Sequence, residues 1–277
     1  MKDVLPPAVS KWQFVEEKIR GVLESFAFRE LRSAGTLDRA YVVHARWEAE
    51  PVTRWYRLAR EERARIEAAV FGAAGPAVDV ELVAMTVGLL AELGVTSRHT
   101  LTVATGDEGR ALLAKLGIAY QHVVAPALVF EARAGEHRLA LGARNDDLVA
   151  SLGGPAVPAL LLELDLEPLV AAVDEPDESF EPPLTAFFAC DGPFARAWAL
   201  KAAHKLRIDG VRAEICHQQV SLDEQRVRAA TLKARLAIVV REEDVHAGQV
   251  LVEDHGTDRR ELVGVDELES TIRQRVD

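Results

Sequence analysis

Cysteine is scarce. The chain has 277 residues and only two, Cys190 and Cys216. Two thiols build no disulfide framework, and both lie in apolar runs, so buried thiols in a reducing cytoplasm are expected. Glycine (18) and proline (12) are too few for collagen-like or mucin-like chains. No stretch approaches the roughly 18 consecutive apolar residues of a membrane span. The opening, Met1 to Pro7, lacks the apolar core of a signal peptide. A cytoplasmic protein with no membrane partner is the expectation. A surplus of positive charge is also missing: 33 Lys and Arg face 44 Asp and Glu, a net charge of −11. Coating nucleic acid by bulk electrostatics is therefore excluded. The motifs His-Glu-x-x-His, Cys-x-x-Cys, Gly-x-Ser-x-Gly and Gly-x-x-x-x-Gly-Lys are absent, and the eight histidines are scattered. No metal ligand and no catalytic residue is predicted.

What is present is an ordinary globular composition, 49% hydrophobic and 28% charged, long enough for one large domain or two smaller ones. Residues 174–183, Asp-Glu-Pro-Asp-Glu-Ser-Phe-Glu-Pro-Pro, hold five acids, three prolines and no base. Like charges and prolines extend such a segment, which reads as a linker between domains at 1–173 and 184–277. Charge divides unevenly across it. Residues 184–277 carry 14 bases and 16 acids, the rest 19 and 28. The C-terminal part is the less hostile place for a polyanion.

Trp12, Val15, Ile19, Val22, Leu23 and Phe26 recur at helical spacing after Ser10, with Gln13 three residues on as a capping box. A second helix, from about Val80 to Leu93, is apolar on most sides and stops at Gly94. Tyr41–Ala45, Thr53–Leu58, Leu101–Ala104 and Val157–Leu164 read as strands. Ala127–Ala132 and His137–Leu141 read as a hairpin turning at Gly135. Arg54, Arg57, Arg60 and Arg63 recur every three residues, and Arg60–Val70 has high helix propensity, so a solvated helix is predicted there. After the linker, strands at Leu184–Cys190, Val211–Cys216 and Arg235–Val240 alternate with helices at Phe194–Leu206 and Ser221–Ala234, the latter with a Ser221/Glu224 capping box. A hairpin (Gln249–Glu253, Glu261–Val263) and a helix (Asp266–Val276) follow, giving a small three-layer α/β domain. Glu242-Glu243-Asp244 reads as an acidic solvated turn.

Several segments together resemble histidyl-tRNA synthetases. Asp3-Val4-Leu5-Pro6-Pro7 through Phe28-Arg29-Glu30 is similar to the N-terminal segment and motif 1 helix. Val70-Phe71-Gly72 and Val78–Val83 look like the end of motif 2 and its following helix. Ala140–Val149 with Leu152-Gly153-Gly154 resembles Gly-Gly-Arg-Tyr-Asp-x-Leu. Ala186–Gly210 and Ser221–Asp254 are similar to the anticodon-binding domain. The resemblance implies an α+β then α/β fold: a truncated class II synthetase-like antiparallel sheet flanked by helices, followed by a three-layer α/β anticodon-binding-like domain. It also implies a homodimer through the first helix.

Departures from the pattern are extensive. Arg32-Ser33-Ala34-Gly35-Thr36 resembles Arg-Pro-Glu-Gly-Thr, but Ala34 replaces the glutamate that helps hold histidine. Arg60-Glu61-Glu62-Arg63 matches the motif 2 start, which would make Arg60 the phosphate-binding arginine. The later glutamine and glutamate fall on Arg65 and Ala69. Tyr120–Pro126 lacks the arginine, aspartate and tyrosines of the second histidine-binding segment, and Val157–Glu167 lacks the motif 3 arginine. By family match, remnant substrate-binding positions are Thr36, Arg60, Glu62, Gly142, Arg144 and Asp146. Arg226, Arg228, Lys233 and Arg235 are tRNA-binding candidates. Adenylation depends on positioned arginines, so a non-catalytic binding or regulatory subunit is expected, with no cofactor. Alternatives are a reduced but active histidine–tRNA ligase using ATP with Mg, a tRNA-binding module acting through the C-terminal domain, and a regulatory subunit of ATP phosphoribosyltransferase. Partners on these readings are tRNA or another histidine-pathway or synthetase protein.

Overall fold

The computed structural model describes residues 3–44, 50–60, 63–95 and 99–276. The chain divides into two compact units, Met1–Glu181 and Pro182–Asp277.

The first unit runs α1 (Ala8–Ser25), β1 (Arg29–Glu30), α2 (Leu37–His44), β2 (Thr53–Ala59), β3 (Arg65–Phe71), α3 (Pro76–Glu92), β4 (Thr100–Ala104), α4 (Asp107–Lys115), β5 (Gln121–His122), β6 (Val129–Ala134), β7 (His137–Arg144), α5 (Leu148–Ser151), β8 (Ala159–Asp165) and α6 (Leu166–Ala172). Its sheet has the order β1-β2-β3-β8-β7-β6-β4-β5. The six inner strands are antiparallel throughout, and the two short edge strands lie parallel to their neighbours. Side chains alternate between faces with period two. One face sends Tyr56, Ile66, Ala68, Val70, Leu162 and Leu164 into a core completed by Val15, Ile19 and Leu23 of α1, Val83, Leu89 and Leu90 of α3, and Leu169 of α6. The other face packs a smaller cluster at one end only. There Leu37 and Tyr41 of α2 and Val149 of α5 meet Ala69, Phe71 and Ala159. Tyr41 stacks on Phe71 with ring centroids 4.0 Å apart.

Several expectations are corrected. Residues 65–70 form strand β3 and no helix. Ile66, Ala68 and Val70 alternate into the core, and pairing to β2 and β8 on both sides overrides the local helix propensity. The segment from Tyr41 is helical, because Leu37, Ala40 and Tyr41 bury one helical face; Ala45 lies outside the described residues. Helix α1 begins at Ala8 with no side-chain cap, which leaves Ser10 inside the first turn. The stripe of α1 packs into the unit's own core, with Trp12 and Phe26 against it, so it offers no ground for a dimer. The acidic segment is not wholly extended. Asp177–Phe180 form a 3-10 turn, Phe180 meets Phe14 at 4.8 Å, and the Lys11 ammonium donates to the Val173 carbonyl at 2.7 Å and lies 3.7 Å from Asp177.

The second unit runs β9 (Ala186–Cys190), α7 (Gly192–Ile208), β10 (Ala213–Ile215), α8 (Leu222–Thr231), β11 (Leu236–Val240), α9 (Glu242–His246), β12 (Gln249–Asp254), β13 (Arg259–Gly264) and α10 (Leu268–Val276). The predicted acidic turn is thus the short helix α9. The sheet order is β10-β9-β11-β12-β13, with β10, β9 and β11 parallel and the last two strands antiparallel. Phe188, Ile238 and Val252 face a core shared with α7 and α10, while Phe187, Ala189 and Ala237 face α8. This is the three-layer α/β arrangement.

Candidate functional site

The open face of the first sheet carries charge from strand to strand. Strand period places Arg57 of β2, Arg65 and Glu67 of β3, Glu163 and Asp165 of β8 and Glu131 of β6 on it, and a bulge at Ala132/Arg133 of β6 sets Arg138 of β7 opposite Arg133 on the same face. Register lines them up: Arg57 opposes Glu67, Glu67 opposes Glu163, and Arg65 opposes Asp165. The Glu67 carboxylate sits between two guanidinium groups, accepting from Arg57 Nε and from Arg65 Nε, each at 2.7 Å. Arg138 donates through Nε to Asp165 at 2.7 Å and through Nη2 to Glu163 at 3.0 Å. Arg63, beyond the end of β2, reaches the same two acids at 3.3 and 3.4 Å. Arg133 completes the row on Glu131 at 2.6 Å.

Two of these charges are largely desolvated, the side chains of Arg57 and Asp165 being 5% and 6% exposed, whereas Arg63 and Glu163 are 51% and 37% exposed. Charge-assisted bonds of this kind are strong. The hydrogen bond to Asp165 is the main cause of the raised pKa of Arg138. Above the ladder a cleft of about 160 Å³ is lined by Thr36, Asp38, Glu67, Leu148, Leu161 and Glu163, among others. Its polar groups are mostly carboxylates, which repel a polyphosphate. Among the described residues, no group of three or more His, Cys, Asp or Glu side chains could hold a metal ion.

Residues 192–275 match the family model described as Anticodon binding domain. The Histidine--tRNA ligase of Caldanaerobacter subterraneus subsp. tengcongensis is 29% identical over 134 residues, 48% of this chain and 32% of the ligase. That of Pelobacter propionicus is 33% identical over 111 residues, 40% of this chain and 26% of the ligase. Apo Staphylococcus aureus (S. aureus) histidyl-tRNA synthetase superposes with a TM-score of 0.87 at 21% identity over 98% of both chains. The histidyl-tRNA synthetase of Nostoc sp. gives 0.74 at 13% identity. The chain is thus similar to histidyl-tRNA synthetases, in sequence over about half of its length and in fold over nearly all of it. It spans about a third of the length of the curated relatives it matches. Both units fit: a class II synthetase fold precedes an anticodon-binding domain.

On this synthetase-like frame the predicted positions scatter. Thr36 lines the cleft. Arg60 does not: it turns toward the helix side and holds Glu16 of α1 through two bonds of 2.8 and 3.1 Å. The arginine that faces the cleft side from β2 is Arg57, missed because a spacing of three was read where a spacing of two governs. Glu62 lies outside the described residues. Gly142 is a packing residue on the covered face, where a Cβ would overlap the fully buried Phe130 ring. Arg144 and Asp146 do come together, in a structural clamp. Arg144 Nε donates to Asp79 at 2.9 Å, and its Nη1 donates to Asp146 at 3.0 Å and to the Ala73 carbonyl at 3.2 Å. Asp146 in turn accepts from the Ala159 amide at 3.2 Å. Burial disfavours the Arg144 charge, but the bonds to Asp79 and Asp146 outweigh it and leave the pKa raised.

In the anticodon-binding domain three of the four basic candidates are already paired. Arg226 meets Asp223 and Glu253 at 3.1 and 3.2 Å, Arg228 meets Glu214 at 3.1 Å, and Arg235 meets Asp254 at 3.0 Å. Lys233, just past α8 at φ 52°, is exposed and has no ion pair among the described residues.

Proposed function

We propose that this synthetase-like chain is a non-catalytic binding or regulatory protein. One observation carries the reading: the arginines of the sheet face are held by the face's own carboxylates. Class II chemistry needs guanidinium groups presented to a triphosphate and to the carboxylate that attacks it. Here Glu67, Glu163 and Asp165 occupy those donors. The β2–β3 hairpin itself is retained, so the reading rests on this charge pairing and not on loss of the strands. Histidine-dependent ATP–pyrophosphate exchange tests it. No exchange above a protein-free blank is expected, and turnover would overturn the reading in favour of a reduced ligase.

The anticodon-binding domain supports a second reading, tRNA binding through residues 192–275. With Arg226, Arg228 and Arg235 paired, few cations are left to displace counterions, so such binding is weak and only modestly salt-dependent. A filter-binding titration of an anticodon stem-loop at low and at physiological salt tests it, and the absence of binding at low salt counts against it. Relatives are expected to pair, so a homodimer belongs to the proposal too, with sedimentation velocity at micromolar concentration as its check.

A further inference from the structure

Helix α7 stands apart in charge. Its 17 residues include Arg196, Lys201, His204, Lys205 and Arg207 and no acid, in a chain whose net charge is −11. Its buried side is Ala195, Ala199, Ala203 and Leu206. At 3.6 residues per turn, Leu200, His204, Ala197, Ile208, Lys201 and Phe194 fall within an outward arc of roughly 120°. All six are exposed. Phe194, Leu200 and Ile208 are 44%, 53% and 71% exposed. Residues 194, 197, 201, 204 and 208 follow a 3-4-3-4 spacing, that of a helix–helix seam. Phe194 is held at one end by stacking on His246, with centroids 4.7 Å apart and planes 13° from parallel.

The cations at this seam are few and placed centrally. Lys205 is engaged with Glu269 at 3.0 Å, Arg207 with the Ala213 carbonyl at 3.0 Å and Arg196 with the Gln218 carbonyl at 3.5 Å. Lys201 and His204 have no ion pair among the described residues. Charge then decides the occupant. A second copy of the helix, packed antiparallel about its centre or parallel in register, sets Lys201 against Lys201, and bringing like charges together disfavours both arrangements. A nucleic-acid backbone would meet one unpaired lysine and leave three large apolar side chains uncovered. A helix of opposite charge satisfies both the apolar ends and the cationic middle.

We propose that the outward seam of α7 (Phe194, Ala197, Lys201, His204, Ile208, with Leu200 beside it) is a docking site for an acidic amphipathic helix of another protein. The site belongs to the second unit and does not depend on whether the cleft of the first is catalytic.

The test uses the full chain and a fluorescein-labelled helical peptide about three heptads long, with leucines at seam positions and glutamates opposite Lys201 and His204. A matched peptide has lysines in place of the glutamates. Fluorescence anisotropy is expected to show saturable binding of the glutamate peptide, at least tenfold tighter than the lysine peptide. Lys201→Glu should invert that preference, and Leu200→Asp should abolish binding. Both side chains are on the surface, and unchanged thermal melts verify folding. The proposal is overturned if the glutamate peptide does not bind, or if it binds equally well to both variants. It is also overturned if Leu200→Asp dissociates a dimer of the chain, which gives the seam to a second copy. Loss of stem-loop RNA binding on Lys201→Glu would assign it to RNA instead.

Discussion

Arg138→Met probes the ladder at its buried carboxylate, Asp165. The substitution keeps the aliphatic stem and removes the guanidinium from Asp165, whose side chain is 6% exposed. Breaking a buried pair from one side costs about 3–5 kcal/mol. Arg63 Nε remains 3.4 Å from Asp165 on a half-exposed side chain, which lowers the expected cost to about 2 kcal/mol. For a unit of this size that is a fall in Tm of about 4–8 °C. Urea unfolding followed by tryptophan fluorescence reads it, in a Trp198→Phe background so that Trp12, Trp47 and Trp55 report on the first unit alone. Adding Asp165→Leu removes the stranded carboxylate and should recover most of the loss. A single-variant cost under about 0.5 kcal/mol, or a double variant no better than the single, would refute the view that these pairs are desolvated and interdependent.

Three further outcomes follow from the same geometry. Gly142→Ala should destabilise the first unit by about 1–3 kcal/mol in urea titration, because Phe130 cannot move aside, and Phe130→Leu should restore it. Burial raises the Asp254 pKa, but bonds from Arg235 and the Gly256 amide outweigh it and leave the value lowered. Its stabilisation is therefore present above the ordinary carboxylate pKa of about 3.9 and lost as pH falls through the folded value, so Asp254→Asn should flatten the acid limb of the second unit's stability below about pH 4. The Cys190 thiol, pushed up to about 12 by burial, should react with a disulfide reagent at pH 8 at least 100-fold more slowly in folded Cys216→Ser protein than in guanidinium.

Elements with local signals were legible. The Ser221/Glu224 capping box forms as read, with the Ser221 amide 2.9 Å from Glu224 Oε2 and the Glu224 amide 3.3 Å from Ser221 Oγ. Gly135 turns the β6–β7 hairpin at φ 57°. Strand β3 was not legible, because its alanines, glutamate and arginine favour a helix until β2 and β8 flank it. Helix α6, which begins at Leu166 directly after β8, was not read, although Asp165, Glu167 and Pro168 at the junction are helix-start signals. The ladder was least legible of all. Glu67 meets Arg57 ten residues away, while Arg138 meets Asp165 across 27, and only sheet register brings the rows together. Depletion of the family's arginines could be read from the sequence. That the arginines remaining on this face are bound by neighbouring carboxylates could not.

Titration calorimetry of Mg-ATP and of a non-hydrolysable histidyl-adenylate analogue into the full chain bears most directly on the self-neutralised sheet face. No saturable heat is predicted for either ligand up to millimolar concentration. Micromolar binding that is lost on Arg57→Ala would contradict the account, because it would show that the face still presents its guanidinium groups to a nucleotide.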